Sequence, residues 1–388
     1  MTRSGLELLC DENFARFAGQ KLALLIHPAS VDAQWVHALA RFEAAKLDLR
    51  LLLGPEHGLT GHAQDMEIVE ESSEVPSGPH VLGLYGDSLD SLRPPLAALS
   101  QVDRLVVDLQ DVGARYYTYA VTMRYCMEVC AEAGVAVTVL DRPNPIGGHL
   151  LEGPALQNDF RSFVGGFNMP VRHGLSLGEL ALLARAEGVD VELDLLRMQG
   201  WSRNMWFDEC GLPWVMPSPN MPTLATATVY PGACLLEATN LSEGRGTTRP
   251  FELLGAPWLD GQALASSLND MRLAGVVFRP CSFTPIFQKH AGQLCHGLQI
   301  HVTDRERFTP FLTGALILQA MRRQDPERFA WRTEPYEFIS HIPAIDMLSG
   351  SAELRRCIEA DEDVRDLEAG WKKDCAGFAE QRADLLQY

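Results

Sequence analysis

The sequence has no cysteine pair at CxxC spacing, no HExxH, no GxGxxG after its first apolar run and no GxxxxGK[ST] anywhere. Each absence removes a chemistry: in turn, a cysteine zinc site or redox dithiol, a zincin helix, a dinucleotide cradle and a P-loop. Positive charge is also scarce. Lys and Arg number 33 against 51 Asp and Glu, a formal net charge of -18, which repels phosphate backbones and anionic lipid headgroups. Neither nucleic acid nor membrane is expected as a partner. No apolar run reaches bilayer length, and the opening MTRSGLELLCDENFARFAGQ carries acids where a signal peptide needs an unbroken apolar stretch. These features predict a cytoplasmic protein. Nine cysteines, an odd number scattered along the chain, fit a reducing compartment better than a disulfide framework.

What is present is a large globular chain of 388 residues, 46% hydrophobic and long enough for two domains. Four segments share one plan, an apolar run that meets polar or turn residues: KLALLIHPAS from 21, LDLRLLLGPEHG from 47, DRLVVDLQDVGARYYTY from 103 and VAVTVLDRPNPIGG from 135. VDAQWVHALARFEAAK and VTMRYCMEVCAEAG lie between members of this set, with apolar residues at helical spacing. Alternating strand and helix predicts an α/β fold with a Rossmann-like parallel sheet, whose crossovers gather the following loops at the carboxyl ends of the strands. Residues 150–250 are loop-rich, with recurring Gly and Pro. After Phe251, a helical pattern and the strand-like VVFRPCSF and LCHGLQIHVTD predict a smaller α+β domain. The expected division is 1–250 for a Rossmann-like catalytic domain with a loop-rich insertion, and 251–388 for a C-terminal domain closing the cleft.

The chemistry concentrates in those post-strand loops. In GPEHGLTGHAQDMEIVEES, from Gly54 to Ser72, Glu56 directly follows a strand between a stiffening Pro55 and a permissive turn at Gly58. Partial desolvation there suits a carboxyl to general-acid work, although a helix cap or a surface loop would read similarly. His57, His62 and Asp65 admit a cation, but a loop of mixed polar residues is more often a hydrogen-bonded substrate site, so no metal and no cofactor are expected. Asp108, Asp111, Arg115, Tyr117 and two further tyrosines crowd DLQDVGARYYTY, where Arg115 either neutralises Asp111 or meets a substrate carboxylate. Tyrosine rings offer faces for sugar stacking and serve equally as core edges. TNLSEGRGTTRPFE gathers Asn240, Glu243 and Arg245 just after Glu237, and MPSPNMPT fixes Asn220 among prolines. His173 precedes GLSLG, a match to the GxSxG elbow of serine hydrolases. Ser176 with Glu179 reads instead as a capping box opening a helix, and Cys126 with Cys130 as core neighbours one helical turn apart.

Taken in order, GPEHG, DLQDVGARYYTY, DRPNPIGG with LEGP, VRHGLSLGELA, GLPWVMPSPNMPT, TNLSEGRGTTRPFELLGAPW and FQKHAGQLCHGLQIHVTD resemble the DUF1343 family along nearly the whole chain. That family includes exo-β-N-acetylmuramidases of the NamZ type, a glycoside hydrolase family. The resemblance implies a Rossmann-like domain, a smaller C-terminal domain and an active site between them, in which Glu56 matches the residue taken as catalytic. It implies a small-molecule substrate, a muropeptide or MurNAc-GlcNAc disaccharide, from whose non-reducing end N-acetylmuramic acid is released. Lacking an export signal, this chain would act on imported fragments, a recycling role. Asp111 and Glu243 are candidates for the second carboxylate, with Asp65 behind them. Arg115 or Arg245 would meet the lactyl carboxylate, and His57, His173, Asn220 and Asn240 would bond sugar hydroxyls and the acetamido group. The rival readings are a serine esterase using Ser176 and a non-catalytic sugar-binding protein.

Overall fold

The computed structural model describes residues 1–69 and 78–388, so Glu70, Glu71 and Ser72, the end of the acidic loop, lie outside the described residues. In chain order the strands are β1 (Lys21–Ile26), β2 (Asp48–Gly54), β3 (His80–Gly83), β4 (Arg104–Asp108), β5 (Ala136–Leu140), β6 (Glu152–Ala155), β7 (Pro170–Arg172), β8 (Leu193–Leu196), β9 (Leu253–Ala256), β10 (Val276–Phe283) and β11 (Cys295–Val302). Six of them form a parallel sheet in the order β3-β2-β1-β4-β5-β8. The order reverses between β1 and β4, the switch point where open α/β sheets leave a crevice beyond the strand ends.

The apolar runs are strands buried on both faces, and their period of two sorts the side chains between two cores. Leu22, Leu24, Ile26, Leu52, Val106, Leu140 and Leu196 face a core closed by Leu6 and Leu9 of α1 (Gly5–Asp11) and Phe42 of α2 (Ala38–Ala44). Ala23, Leu25, Leu51, Leu53, Leu105, Val107, Val137 and Val139 face the other side, covered by α3 (Tyr119–Ala133) and α4 (Leu177–Ala186). Cys126 and Cys130 of α3 are fully buried there as free thiols, the core neighbours their spacing suggested.

Four of the parallel strands are those expected. β3 and β8 are additional, each only four residues long. The stretch read as loop-rich also holds the antiparallel β6–β7 pair, α4 and α5 (Leu224–Ala233). In the second lobe β10, β11 and β9 form an antiparallel sheet in the order β10-β11-β9, covered by α6 (Gly261–Asp270), against which α7 (Pro310–Gln324) packs.

The two lobes share one core. The cluster on the second face of the parallel sheet continues without a break through Leu254, Leu298, Phe311 and Leu316. Where α5 crosses α7, Gly232 and Gly314 bring the backbones together: a Cβ on Gly232 would lie 1.9 Å from the carbonyl oxygen of Pro310, and one on Gly314 2.3 Å from the Gly232 carbonyl carbon. Any side chain at either position forces the helices apart.

Candidate active site

The post-strand loops do converge. Beyond β1, the His27 ring accepts a hydrogen bond from the Gln110 amide beyond β4 at 2.9 Å. The Gln110 side chain reaches the Pro143 carbonyl beyond β5, also at 2.9 Å, and Thr118 Oγ1 donates to Glu56 Oε2 beyond β2 at 2.7 Å. Burial and the nearby Arg142 guanidinium push the His27 imidazole down to about 3, so it stays neutral and acts as a strut. Asp108 is consumed by a buried two-point pairing with Arg142, whose Nη2 lies 2.8 Å from Oδ2.

Above these loops and beneath the second lobe lies a pocket. The parallel-sheet lobe supplies Glu56, His57, Asp65, Tyr116, Tyr117 and Thr118, the connecting region Ser218, Asn220 and Tyr230, and the second lobe Glu237, Arg245, Phe251, Tyr336 and Glu337. One oxygen from each of Glu56, Asp65 and Glu337 lies within 4.8 Å of the other two. Glu56 is 4% exposed and Glu337 2%.

Seven of the expected residues meet at or beside this pocket. His57 has a left-handed φ of 72° and is followed by Gly58 at 78°, the tight turn that tips Glu56 inward. Its Nδ1 donates to the Ala63 carbonyl at 2.8 Å, which fixes the orientation of the ring. Asn220 donates to the Gln64 side chain at 2.9 Å. The Tyr117 hydroxyl is buried in the pocket wall beside Tyr119 and Ser218. Arg245 faces three carboxylates, Glu237 at 2.7 Å, Asp65 at 3.3 Å and Glu243 at 3.4 Å, with its guanidinium 5.1 Å above the Phe251 ring. Burial lowers the pKa of this guanidinium, but the three carboxylates more than reverse that and hold it well above its ordinary value. Glu243 stands behind Arg245, bonded to Lys289 at 2.9 Å, and does not line the pocket.

Asp111, Arg115, His173 and Asn240 are placed elsewhere. Asp111 accepts from the Gly113 amide at 2.6 Å and lies 3.3 Å from the His173 ring, a pair closed off inside the fold. Arg115 is fully buried and does not pair with Asp111. It donates to the carbonyls of Pro154 at 2.7 Å, Met169 at 2.8 Å and Leu348 at 2.9 Å, and burial lowers its pKa to about 10. Asn240 braces the 328–330 backbone through the Arg328 carbonyl and the Ala330 amide. Ser176 is the N-cap of α4: its Oγ accepts from the Glu179 amide at 3.3 Å and donates to Asp141 at 2.7 Å, and no histidine bonds it among the described residues. His62 is exposed and bonded to Thr60.

Sequence reasoning left out Tyr116, Thr118, Ser218, Tyr336 and Glu337, and did not place Glu237 in the site. Tyr116, Thr118 and Ser218 stand within motifs already singled out. Tyr336 and Glu337 belong to EPYEFIS, whose pattern carries no chemical signal; they reach the pocket because the second lobe folds over it.

A buried cluster of carboxylates beyond the carboxyl ends of a parallel sheet, with polar and aromatic walls, is the arrangement of a two-lobed α/β enzyme built for acid–base chemistry. The N-terminal and C-terminal domain families of exo-β-N-acetylmuramidase NamZ match residues 22–225 and 228–388. The chain is 40% identical to the peptidoglycan β-N-acetylmuramidase NamZ of Bacillus subtilis (strain 168), over all of this chain and 91% of that protein. Two crystal structures of DUF1343 family proteins from Bacteroides fragilis NCTC 9343 superpose with TM-scores of 0.90 and 0.79, at 31% and 27% identity, each covering 100% of this chain and 99% of its own. The chain belongs to the NamZ exo-β-N-acetylmuramidase family and is a glycoside hydrolase. No described helix is long and apolar enough to cross a membrane.

Proposed function

We propose that the protein releases N-acetylmuramic acid from the non-reducing end of peptidoglycan-derived fragments, with the disaccharide MurNAc-β-1,4-GlcNAc as the minimal substrate and Glu56 as the general acid. The observation that carries this reading is the position of Glu56: one carboxyl oxygen is anchored by Thr118, leaving the other facing a pocket that holds further carboxylates. Glycoside hydrolysis needs one carboxyl to protonate the leaving oxygen and a second group to meet the developing charge at the anomeric carbon. Asp65, the reserve candidate, lines the pocket within 4.8 Å of Glu56, whereas Asp111 and Glu243 do not line it. Tyr116, Tyr117 and Tyr230 give the sugar aromatic walls, and His57, Ser218 and Asn220 give it hydrogen-bonding partners.

The test is mass spectrometry of products after incubation with MurNAc-β-1,4-GlcNAc. The expected outcome is free N-acetylmuramic acid from the wild type and a loss of about 10²–10⁴-fold in Glu56→Gln, which removes an ionisable proton at nearly constant volume. Full turnover by the variant would dismiss the acid assignment, and binding without release by the wild type would favour a sugar-binding protein.

A further inference from the structure

Trp35, in the turn that follows β1, is 67% exposed, and the fold holds it there. Beneath it Asp32, itself buried, places one carboxyl oxygen against the amides of Gln34 at 2.9 Å and Val36 at 3.0 Å and the other against Arg41 Nε of α2 at 2.7 Å. The backbone closes the same turn: the Asp32 amide donates to the Val36 carbonyl and the Trp35 amide to the Asp32 carbonyl, both at 3.0 Å. Inside it Trp35 has a left-handed φ of 64°, an outlier for so bulky a side chain. A turn tied at five points thus keeps a strained residue in place and turns its indole to water, where it adds nothing to either core. Strain that the surroundings hold in this way clusters at ligand-binding positions.

The turn is braced to the segments that build the pocket wall. His37, at its end, donates from Nε2 to the His27 carbonyl at 2.9 Å, and His27 Nδ1 meets the Pro217 carbonyl at 3.3 Å. The Tyr119 hydroxyl donates to that same carbonyl at 2.7 Å and stands 3.3 Å from the carbonyl of Glu56. Pro28 lies against the acidic loop, where a Cβ on Gly61 would come within 2.7 Å of its ring. The Trp35 turn is therefore tied, one layer out, to the backbone that carries Glu56 and to the segment that carries Ser218. On that segment Met216, two residues before Ser218, is 50% exposed. An exo-acting glycosidase encloses the terminal sugar and leaves the rest of the chain outside its pocket. A pyranose has an apolar C–H face that an indole covers without leaving a hydroxyl unpaired, and the contact needs no cation in an acidic protein.

We propose that Trp35 is a stacking platform for the leaving side of the substrate, the sugar residues of a glycan fragment that follow the cleaved bond, with Met216 adding apolar surface on the neighbouring segment. This rests on the reading of the protein as a muramidase acting at the non-reducing end. Trp35 is a binding residue that sets chain-length preference and does not touch the reacting bond: the longer the fragment, the more of it lies outside the pocket for the indole to hold.

The experiment compares kcat and KM of wild type, Trp35→Ala, Trp35→Phe and Met216→Ala on MurNAc-β-1,4-GlcNAc and on the tetrasaccharide that repeats this pair. Trp35→Ala should raise KM for the tetrasaccharide by about five- to tenfold, the worth of one lost aromatic contact, and by clearly less for the disaccharide, with kcat falling less than KM rises. Trp35→Phe, which keeps an aromatic face, should recover part of the difference, and Met216→Ala should give a smaller rise of the same kind. An equal change on both lengths, or none, overturns the proposal. So does a KM change confined to fragments that carry stem peptide, which would make Trp35 a peptide contact, and so does a change of oligomeric state in Trp35→Ala by sedimentation, which would put a second copy of the chain on the indole. A second readout is a titration of tryptophan emission with the tetrasaccharide in Glu56→Gln, where turnover does not consume the ligand. A shift to shorter wavelength that disappears on adding Trp35→Phe is expected, and its absence overturns the proposal. Wild type that cleaves neither saccharide removes the muramidase reading and leaves the platform to be decided by that titration, whereas normal wild-type cleavage with an unaffected Trp35→Ala removes the platform alone.

Discussion

Arg115 and Arg245 are both buried arginines in motif loops, and both have the charge that a lactyl carboxylate would need. Around Arg115 the fold supplies three backbone carbonyls and no carboxylate; around Arg245 it supplies three carboxylates. Carbonyl oxygens stitch together the chain segments at 154, 169 and 348, which makes the first arginine a joint. Carboxylates carry charge that must be offset, which makes the second a counter-ion holding Asp65 and Glu237 at the pocket wall. The same side chain thus becomes scaffold or site according to whether its partners are dipoles or ions.

Breaking the scaffold side should give the largest effect. Arg115→Met leaves three buried carbonyls unpaired, at about 1–3 kcal/mol each. A loss of roughly 3–5 kcal/mol in urea unfolding is expected, with the preference for muramyl over glucosaminyl substrates unchanged in the protein that folds; a changed preference would give Arg115 the lactyl role after all. On the site side, Arg245→Met should cost less stability and about 10²-fold in kcat, the order reported for removing one charge-stabilising group from an active site. Unchanged kcat in this variant would contradict the counter-ion role. The smallest effect sharpens the comparison with a third motif: Ser176→Ala should cost about 1 kcal/mol as a lost helix cap and leave glycoside turnover intact.

The comparison also shows what can be read from residues in a row. β1, β2, β4, β5, β10 and β11 are legible because each is a continuous or alternating apolar run, whereas HVLG and LDLL, four residues each, become strands only because neighbours offer them a ladder. Glu56, His57 and Asp65 are legible because a turn directly after a strand leads into the crevice. Partners are not legible. Asp111 and His173 spend their side chains on the Gly113 and Leu175 amides inside the fold, and Asn240 spends its amide on the backbone of 328–330. Glu337 lies 281 positions beyond Glu56 and is delivered by lobe packing alone.

The crossing of Gly232 with Gly314 and the core that runs unbroken between the lobes have a consequence for biogenesis. A chain leaving the ribosome amino end first completes the parallel sheet, with Glu56 in place, well before residue 337 emerges. At that stage the carboxylate has no roof, no Tyr336 and no Arg245. Docking of the later part of the chain brings Tyr336 and Glu337 to the pocket, so its wall is complete only when the entire molecule has assembled.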